Sequence, residues 1–300
     1  MAKAILFINP KKGNSASLAN EICRELEKRG FEHESFSMEK EFAVDGISAY
    51  DIAFSLGGDG TVLHTVRSMA PLRVPVFPVN LGTLGFMAGI HPDNWKMVFE
   101  DWLDGRARLS QRLMLEIKVE RQGRVAARSI CLNEAVVSSP GIFRLINLDV
   151  SLGESINEGE EFLHLGQYCC DGLISATPTG STAHSAAAGG PILDPELEAF
   201  ILNPICPFTL SHRPLVLPAG QTVLIEVEPD QKSGIMLTMD GQLTQTLEEG
   251  DRIFVSSSPS KGILIASGRN TFYDALKHKF FWMKDPAAPA ENKEQAVKHA

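Results

Sequence analysis

The stretch SLGGDGTVLH (55–64) sets one carboxylate, Asp59, among Gly57, Gly58 and Gly60 at the end of an apolar run. Glycines let a ligand approach the backbone closely, and successive N–H groups at a strand-to-helix turn form an anion seat, which Thr61 extends with a hydroxyl. An aspartate inside that seat opposes plain phosphate binding by charge, and suits a hydroxyl or a metal ion. The same residues also read as a tight turn whose aspartate caps the next helix. The lysine-bearing spacing of a P-loop is absent.

Three further stretches could do chemistry. In CLNEAVVSS (131–139), Asn133 and Glu134 interrupt an apolar strand, where polar side chains are costly without partners. A ribose diol would satisfy them, and a solvent-facing bulge at a strand edge is the alternative. YCCDGLISATPTGSTAHSAAAGGPI (168–192) brings Asp171, hydroxyls, a glycine turn and a run too small in volume to obstruct a flat ligand; a Ser/Thr-rich surface loop would look similar. MDGQ (239–242) repeats the Asp-Gly pair, as a turn or with Gln242 as an amide partner. His184 stands among these loops, either against a phosphate or base or as a structural histidine. Arg144 is a lone cation near the carboxylates in sequence, and Lys11 and Lys12 read by default as a solvated pair at the end of the first strand. A nucleophilic serine or cysteine has no support, because no Gly-x-Ser-x-Gly elbow occurs and no histidine is evidently placed beside a thiol.

These residues need a frame. Residues 1–112 alternate buried strand patterns, AILFIN (4–9), DIAFSLGG (51–58) and VPVFPVNLG (74–82), with helical ones, SASLANEICRELEKRG (15–30) and TVLHTVRSMA (61–70). That alternation predicts an α/β N-terminal domain on a parallel sheet, whose ligands sit outside the carboxyl ends of the strands. The GGDG turn and the NLGTLGF loop (80–86) both fall there. From 113 to 262, short β-like runs separated by Gly, Pro and Asn predict a β-rich, sandwich-like C-terminal domain. Residues 263–284, with RNTFYDALKHKFFW (269–282), form a segment expected to pack back on the first domain. Residues 285–300 are Pro, Ala and charge, the composition of a disordered tail.

Composition narrows the function classes. With 44% hydrophobic and 22% charged residues and no run near the roughly 18 apolar residues of a membrane helix, the chain reads as globular. The N-terminal apolar run is too short for a signal peptide. Its 28 basic and 37 acidic residues give a net charge of −9, which argues against nucleic-acid binding through a basic surface but leaves room for a locally held anion. Five cysteines without metal-ligand spacing fit reduced thiols in the cytoplasm.

Taken together, LGGDGTVL, NLGTLGF, LNEAVV, DGLISATPTGSTAHSAAAGGPI, RPLVLP and the late DGQ resemble the NAD kinase family. GGDGT alone is shared with diacylglycerol and sphingosine kinases; the NE pair and the TPTGSTA loop are far more specific. The resemblance implies phosphorylation of the 2′-hydroxyl of the adenosine ribose of NAD, with ATP and a divalent metal such as Mg²⁺, whose ligands it does not supply. Small-molecule nucleotides are then the partners, with no nucleic acid and no membrane, and the assembly a dimer or tetramer that covers exposed sheet edges. It implies Asp59 as proton acceptor, and Gly57, Gly58, Gly60 and Thr61 around phosphate. Asn133 and Glu134 would hold the adenine side of NAD, Asp171 the nicotinamide side. Thr182, Ala183, His184, Ser185, Ala186 and Ala187 would line the dinucleotide pocket, with Gln242 bonding into it and Arg144 as a further contact. His184 departs from the tyrosine common in the family, which puts base stacking there in doubt, and His64 stands where a small or basic residue is frequent, so that it could face phosphate. A lipid kinase and a non-catalytic dinucleotide sensor are the rival readings; the first has no use for the NE pair, and the second has no need of Asp59.

Overall fold

The computed structural model describes residues 1–38, 50–82, 85–87, 89–141, 144–154, 161–209, 211–266 and 269–280. The expected tail at 285–300, and Thr83 and Leu84 of the NLGTLGF loop, lie outside those residues. The first third holds β1 (Lys3–Ile8), α1 (Ser15–Lys28), β2 (Glu32–Ser37), β3 (Ile52–Gly57), α2 (Asp59–Met69), β4 (Val76–Asn80), α3 (Trp95–Leu103) and β5 (Leu109–Arg112). Next come β6 (Leu115–Arg121), β7 (Arg124–Cys131), β8 (Glu134–Ser138), β9 (Ile146–Gly153), β10 (Leu163–Cys170) and β11 (Gly172–Ala176). One short helix, α4 (His184–Ala187), precedes β12 (Ala199–Ile205), β13 (Leu215–Pro218), β14 (Thr222–Val227), β15 (Ile235–Met239), β16 (Leu243–Leu247) and β17 (Arg252–Ser257). The chain closes with β18 (Gly262–Ile265) and α5 (Arg269–Phe280).

Among the described residues the strands form three six-stranded sheets. The first has the order β2-β1-β3-β4-β18-β5, parallel except for the β18–β5 pair. β3 is buried at all six positions, which is why IAFSLG reads as a continuous apolar run: helices cover both faces of such a sheet. Leu18, Ile22 and Leu26 of α1 pack with Trp95 and Phe99 of α3 on one face; Val62, Val66 and Met69 of α2 pack on the other. α1 follows the expected helical spacing, and Gly30 beyond its end takes φ +76°, open to glycine without strain.

The second and third sheets are antiparallel, in the orders β10-β9-β14-β17-β6-β7 and β13-β12-β11-β8-β15-β16. Alternate residues of both, among them Ile117, Val137, Leu148, Leu173, Phe200, Ile225 and Leu237, share one apolar core. That is the expected sandwich beside the expected α/β sheet. Met114 and Leu132 leave the sandwich to pack with α2, so this helix lies between the parallel sheet and the sandwich. Among the described residues no helix is long and apolar enough to cross a membrane.

Candidate active site

The first turn of α2 carries the opening motif. Gly58 is the N-cap in extended conformation and Asp59 is the first helical residue, so the aspartate follows the cap. A Cβ on Gly57 would lie 2.1 Å from Thr61 Oγ1; the glycine lets the strand end close onto the buried threonine. The Asp59 carboxylate turns toward the loop after β4, where it accepts from Phe86 N (3.0 Å, Oδ2) and Met87 N (3.3 Å, Oδ1). A Cβ on Gly85 would fall 2.0 Å from Asp59 Oδ1, so the second glycine of NLGTLGF is a requirement of that approach.

A cleft of about 500 Å³ opens beside this turn, lined by Asn9, Pro10, Lys11, Lys12, Met38, Gly58, Gly60, Thr61 and Gln242. The residues after β1 and β3 therefore meet where a parallel sheet presents its carboxyl ends. Lys12 Nζ reaches to 3.3 Å from the Cβ position of Gly82, past the end of β4. Both lysines, read from sequence as a solvated pair, thus line the cleft. The first N–H groups of a helix have no partner within it, and the helix dipole adds positive potential there.

From this turn a hydrogen-bonded path crosses to the sandwich. Gln242 Nε2 donates to Gly60 O (2.8 Å), and Arg67, two turns along α2, donates to Gln242 Oε1 (2.8 Å) and Asp240 Oδ2 (3.1 Å). Asp240 accepts in turn from the backbone N–H of Leu132, Asn133 and Glu134. Asp240 and Gly241 both take positive φ (52° and 63°) in the turn between β15 and β16, a conformation aspartate tolerates better than most residues. MDGQ is therefore a turn and a bracket for the NE pair at once. Burial pushes the Asp240 carboxyl up, against the pull of the Leu132 and Asn133 N–H groups and Arg67.

Held this way, Asn133 and Glu134 are 8% and 7% exposed, and Asn133 Oδ1 and Glu134 Oε2 are buried with no hydrogen-bond partner. Burial, and secondarily Asp240, raises the Glu134 carboxyl to about 7. Two acceptors desolvated without donors are costly, and a ligand bearing hydroxyls would remove that cost. The TPTGST turn packs against the same pair. Thr177 N donates to Asn133 O (2.8 Å), Thr177 Oγ1 to Leu132 O (2.5 Å), and a Cβ on Gly180 would fall 2.1 Å from Asn133 O. Ser181 is tied to Pro178 and Leu193, and Ser185 to Asn203, so these two hydroxyls hold the loop. Thr182 and Ala183 sit half-buried in the same turn, followed in α4 by exposed His184, half-buried Ala186 and exposed Ala187.

Three more of the expected residues, Asp171, Arg144 and His64, have other neighbours within the chain. Asp171 directly precedes β11, and Ala176 at the other end of that strand pairs with Glu134, roughly 17 Å away at strand rise, so within one chain Asp171 does not join the NE pair. Arg144 is exposed at that same far end, where it donates to Lys232 O (2.9 Å). His64 stacks on Phe36 (6.2 Å, 5°) with its edge to Phe7, and burial together with Arg67 lowers its pKa to about 4. Its Nε2 is buried with no hydrogen-bond partner. Arg67 and Asp240 are the residues sequence reasoning missed. The second had a signal in MDGQ; the first, a lone arginine on an amphipathic helix, had none.

Known proteins resemble both parts of the chain. Residues 37–107 match the ATP-NAD kinase N-terminal domain and residues 156–267 the ATP-NAD kinase C-terminal domain. The NAD kinase of Treponema denticola is 41% identical over 289 residues, covering 94% of this chain and 97% of that protein. That of Desulforamulus reducens is 35% identical over 283 residues, covering 91% and 95%. Yeast NADH kinase complexed with NADH superposes with a TM-score of 0.81 at 23% identity, covering 97% of this chain and 90% of that one. An NAD kinase from Archaeoglobus fulgidus in complex with ATP gives 0.69 at 22%, covering 92% and 97%; at such identities the two structures speak for the fold. The chain is a phosphotransferase with an alcohol acceptor. It belongs to the NAD kinase family.

Proposed function

We propose that the chain transfers the γ-phosphoryl group of ATP to the 2′-hydroxyl of the adenosine ribose of NAD, giving NADP and ADP. The observation that carries this reading is the buried pair of unpartnered acceptors, Asn133 Oδ1 and Glu134 Oε2, joined by one hydrogen-bonded path to the turn that bears Asp59. Ribose hydroxyls supply the missing donors. Asp59 accepts from the backbone N–H groups of Phe86 and Met87, and in this reading its carboxylate meets the acceptor hydroxyl.

A ribose hydroxyl is far too weak an acid for a carboxylate to deprotonate it in the ground state. Phosphoryl transfer passes through a loose transition state, in which little bond to the nucleophile has formed. Asp59 therefore orients the 2′-hydroxyl and takes its proton late, as the new O–P bond forms and the bond from the γ-phosphorus to the bridging oxygen breaks toward ADP. Lys11, Lys12 and the N-terminus of α2 support a place for phosphate in the cleft. Gly58 and Gly60, which line the cleft, keep the backbone there accessible, whereas buried Gly57 closes against Thr61.

Among the described residues no group of three metal-ligating side chains converges. A magnesium ion that keeps most of its waters and binds through phosphates needs no such group, so the donor set suits an ion carried in by ATP. Its charge would offset that building on the transferred group. Leu215 and Val216, exposed on edge strand β13, support a homo-oligomer, and the free thiols Cys23, Cys131, Cys169, Cys170 and Cys206 support residence in the cytoplasm.

The test is purified protein with ATP, Mg²⁺ and NAD, with NADP read by a dehydrogenase specific for it. NADP formation is expected. NAD binding in calorimetry without NADP formation would favour the sensor reading, and phosphorylation of diacylglycerol without NADP the lipid kinase.

A further inference from the structure

Helix α5 touches the loop that holds Asp59. Phe272, 2% exposed, packs its ring 5.9 Å from that of Phe86, and Lys279 Nζ stands 4.5 Å from the same ring centroid. Phe86 N and its neighbour Met87 N are the donors to the Asp59 carboxylate. One turn of α5 also meets the loop directly: a Cβ on Gly89 would fall 2.8 Å from Thr271 Cγ2. The helix is itself anchored by Tyr273, whose hydroxyl donates to Asp194 Oδ2 (3.0 Å). Asp194 follows the AGGPI run of the sandwich, so α5 spans from the sandwich to the loop beneath the aspartate.

We propose that α5 is a positioning clamp for Asp59: Phe272, Lys279 and Thr271 bear on Phe86 and Gly89, and the backbone N–H groups of Phe86 and Met87 aim the carboxylate. The clamp rests on the reading of Asp59 as the group that orients the 2′-hydroxyl. A carboxylate held by two backbone donors moves with them, and displacement of a positioned group by about 1 Å costs on the order of a hundredfold in rate. Neither Phe272 nor Thr271 lines the cleft. The loss should therefore fall on kcat and spare both KM values.

The test measures kcat, KM and Tm for Gly89→Ala, Gly89→Ala/Thr271→Ser, Lys279→Met and Lys279→Arg. Gly89→Ala should lower kcat by about tenfold or more with both KM values within about threefold, the signature of an interaction made in the transition state. Adding Thr271→Ser removes the clashing methyl and should restore most of the rate. On the exposed flank, Lys279→Met should lose about two- to fivefold in kcat and Lys279→Arg should not, as for a cation–π contact. Repeated on an Asp59→Asn background, Gly89→Ala should cost nothing further. The clamp is overturned if Gly89→Ala and Lys279→Met keep the wild-type kcat, if they raise KM as much as they lower kcat, or if their cost persists without the Asp59 carboxylate. Near-normal kcat in Asp59→Asn alone would instead remove the role of the aspartate.

Discussion

In the proposed reaction Asp59 meets two demands, since its oxygens are tied to Phe86 N and Met87 N and would also face the substrate hydroxyl. Asp59→Asn keeps the shape and one acceptor oxygen but loses the charge that draws the proton. We expect kcat for NADP formation to fall about 10²–10⁴-fold, the range for a positioned acid–base group, with the KM for NAD little changed. Glu134 carries a different load. Its carboxyl, raised from 4.5 to about 7, holds a proton more tightly in the folded chain than in the unfolded one. The stability it contributes is fully present below about pH 4.5 and is lost as pH rises toward about 7, because the folded state binds the extra proton in that window. In ligand-free protein, Tm of Glu134→Gln minus Tm of wild type should therefore grow from pH 4.5 to 7 and level off above. Hydroxyl donors favour the carboxylate, so the KM for NAD of the wild type should rise below about pH 7 while that of Glu134→Gln stays flat. A difference in Tm that does not change with pH would contradict the first expectation. GGDG and NE were legible as residues because polar groups in apolar strands need a reason. That the two motifs are tied together through Arg67 was not, since nothing local marks that arginine.

Among the elements, strands with continuous apolar runs were the legible ones. β1, β3 and β4 announce themselves, whereas β2 (EHESFS) and β5 (LSQR) do not, because an edge or a strand end keeps its polar residues. The TPTGST turn reads as a ligand loop by its small residues, yet the hydroxyls of Thr177, Ser181 and Thr182 are engaged with backbone carbonyls, of Leu132, Pro178 and Thr179. Gly180 is the position where this is tightest, with Asn133 O only 2.1 Å from an added Cβ. Gly180→Ala must push the turn or the NE pair aside. Overpacking of this kind costs about 1–3 kcal/mol, and the displaced acceptors should raise the KM for NAD together with the loss of Tm. A variant with wild-type KM and Tm would show that the turn moves without the pair.

Across the whole molecule, α2 sets the relation of the α/β sheet to the sandwich, with Asp59 at its start and Arg67 two turns later on buried Asp240. Arg67→Ala strips a buried carboxylate of its cation and should cost about 3 kcal/mol, read from the denaturant midpoint. Lysine should recover only part of that, since one ammonium cannot serve both Asp240 and Gln242 in the same fork. The sheet order has a last consequence, for the time course of folding. β5 and β18 are neighbours, with Arg112 opposite Gly262, although the entire sandwich separates them along the chain. The sandwich closes that gap by itself, pairing Leu115 with Ser257 and donating Ser258 N to Met114 O (2.8 Å). A nascent chain thus has to finish the second unit before it can complete the first, and once it has, the final strand docks as cheaply as in a short hairpin. Pulse-labelled hydrogen exchange should find the β6 and β17 amides protected before those of β18. The reverse order would mean that the parallel sheet recruits its last strand across an open loop.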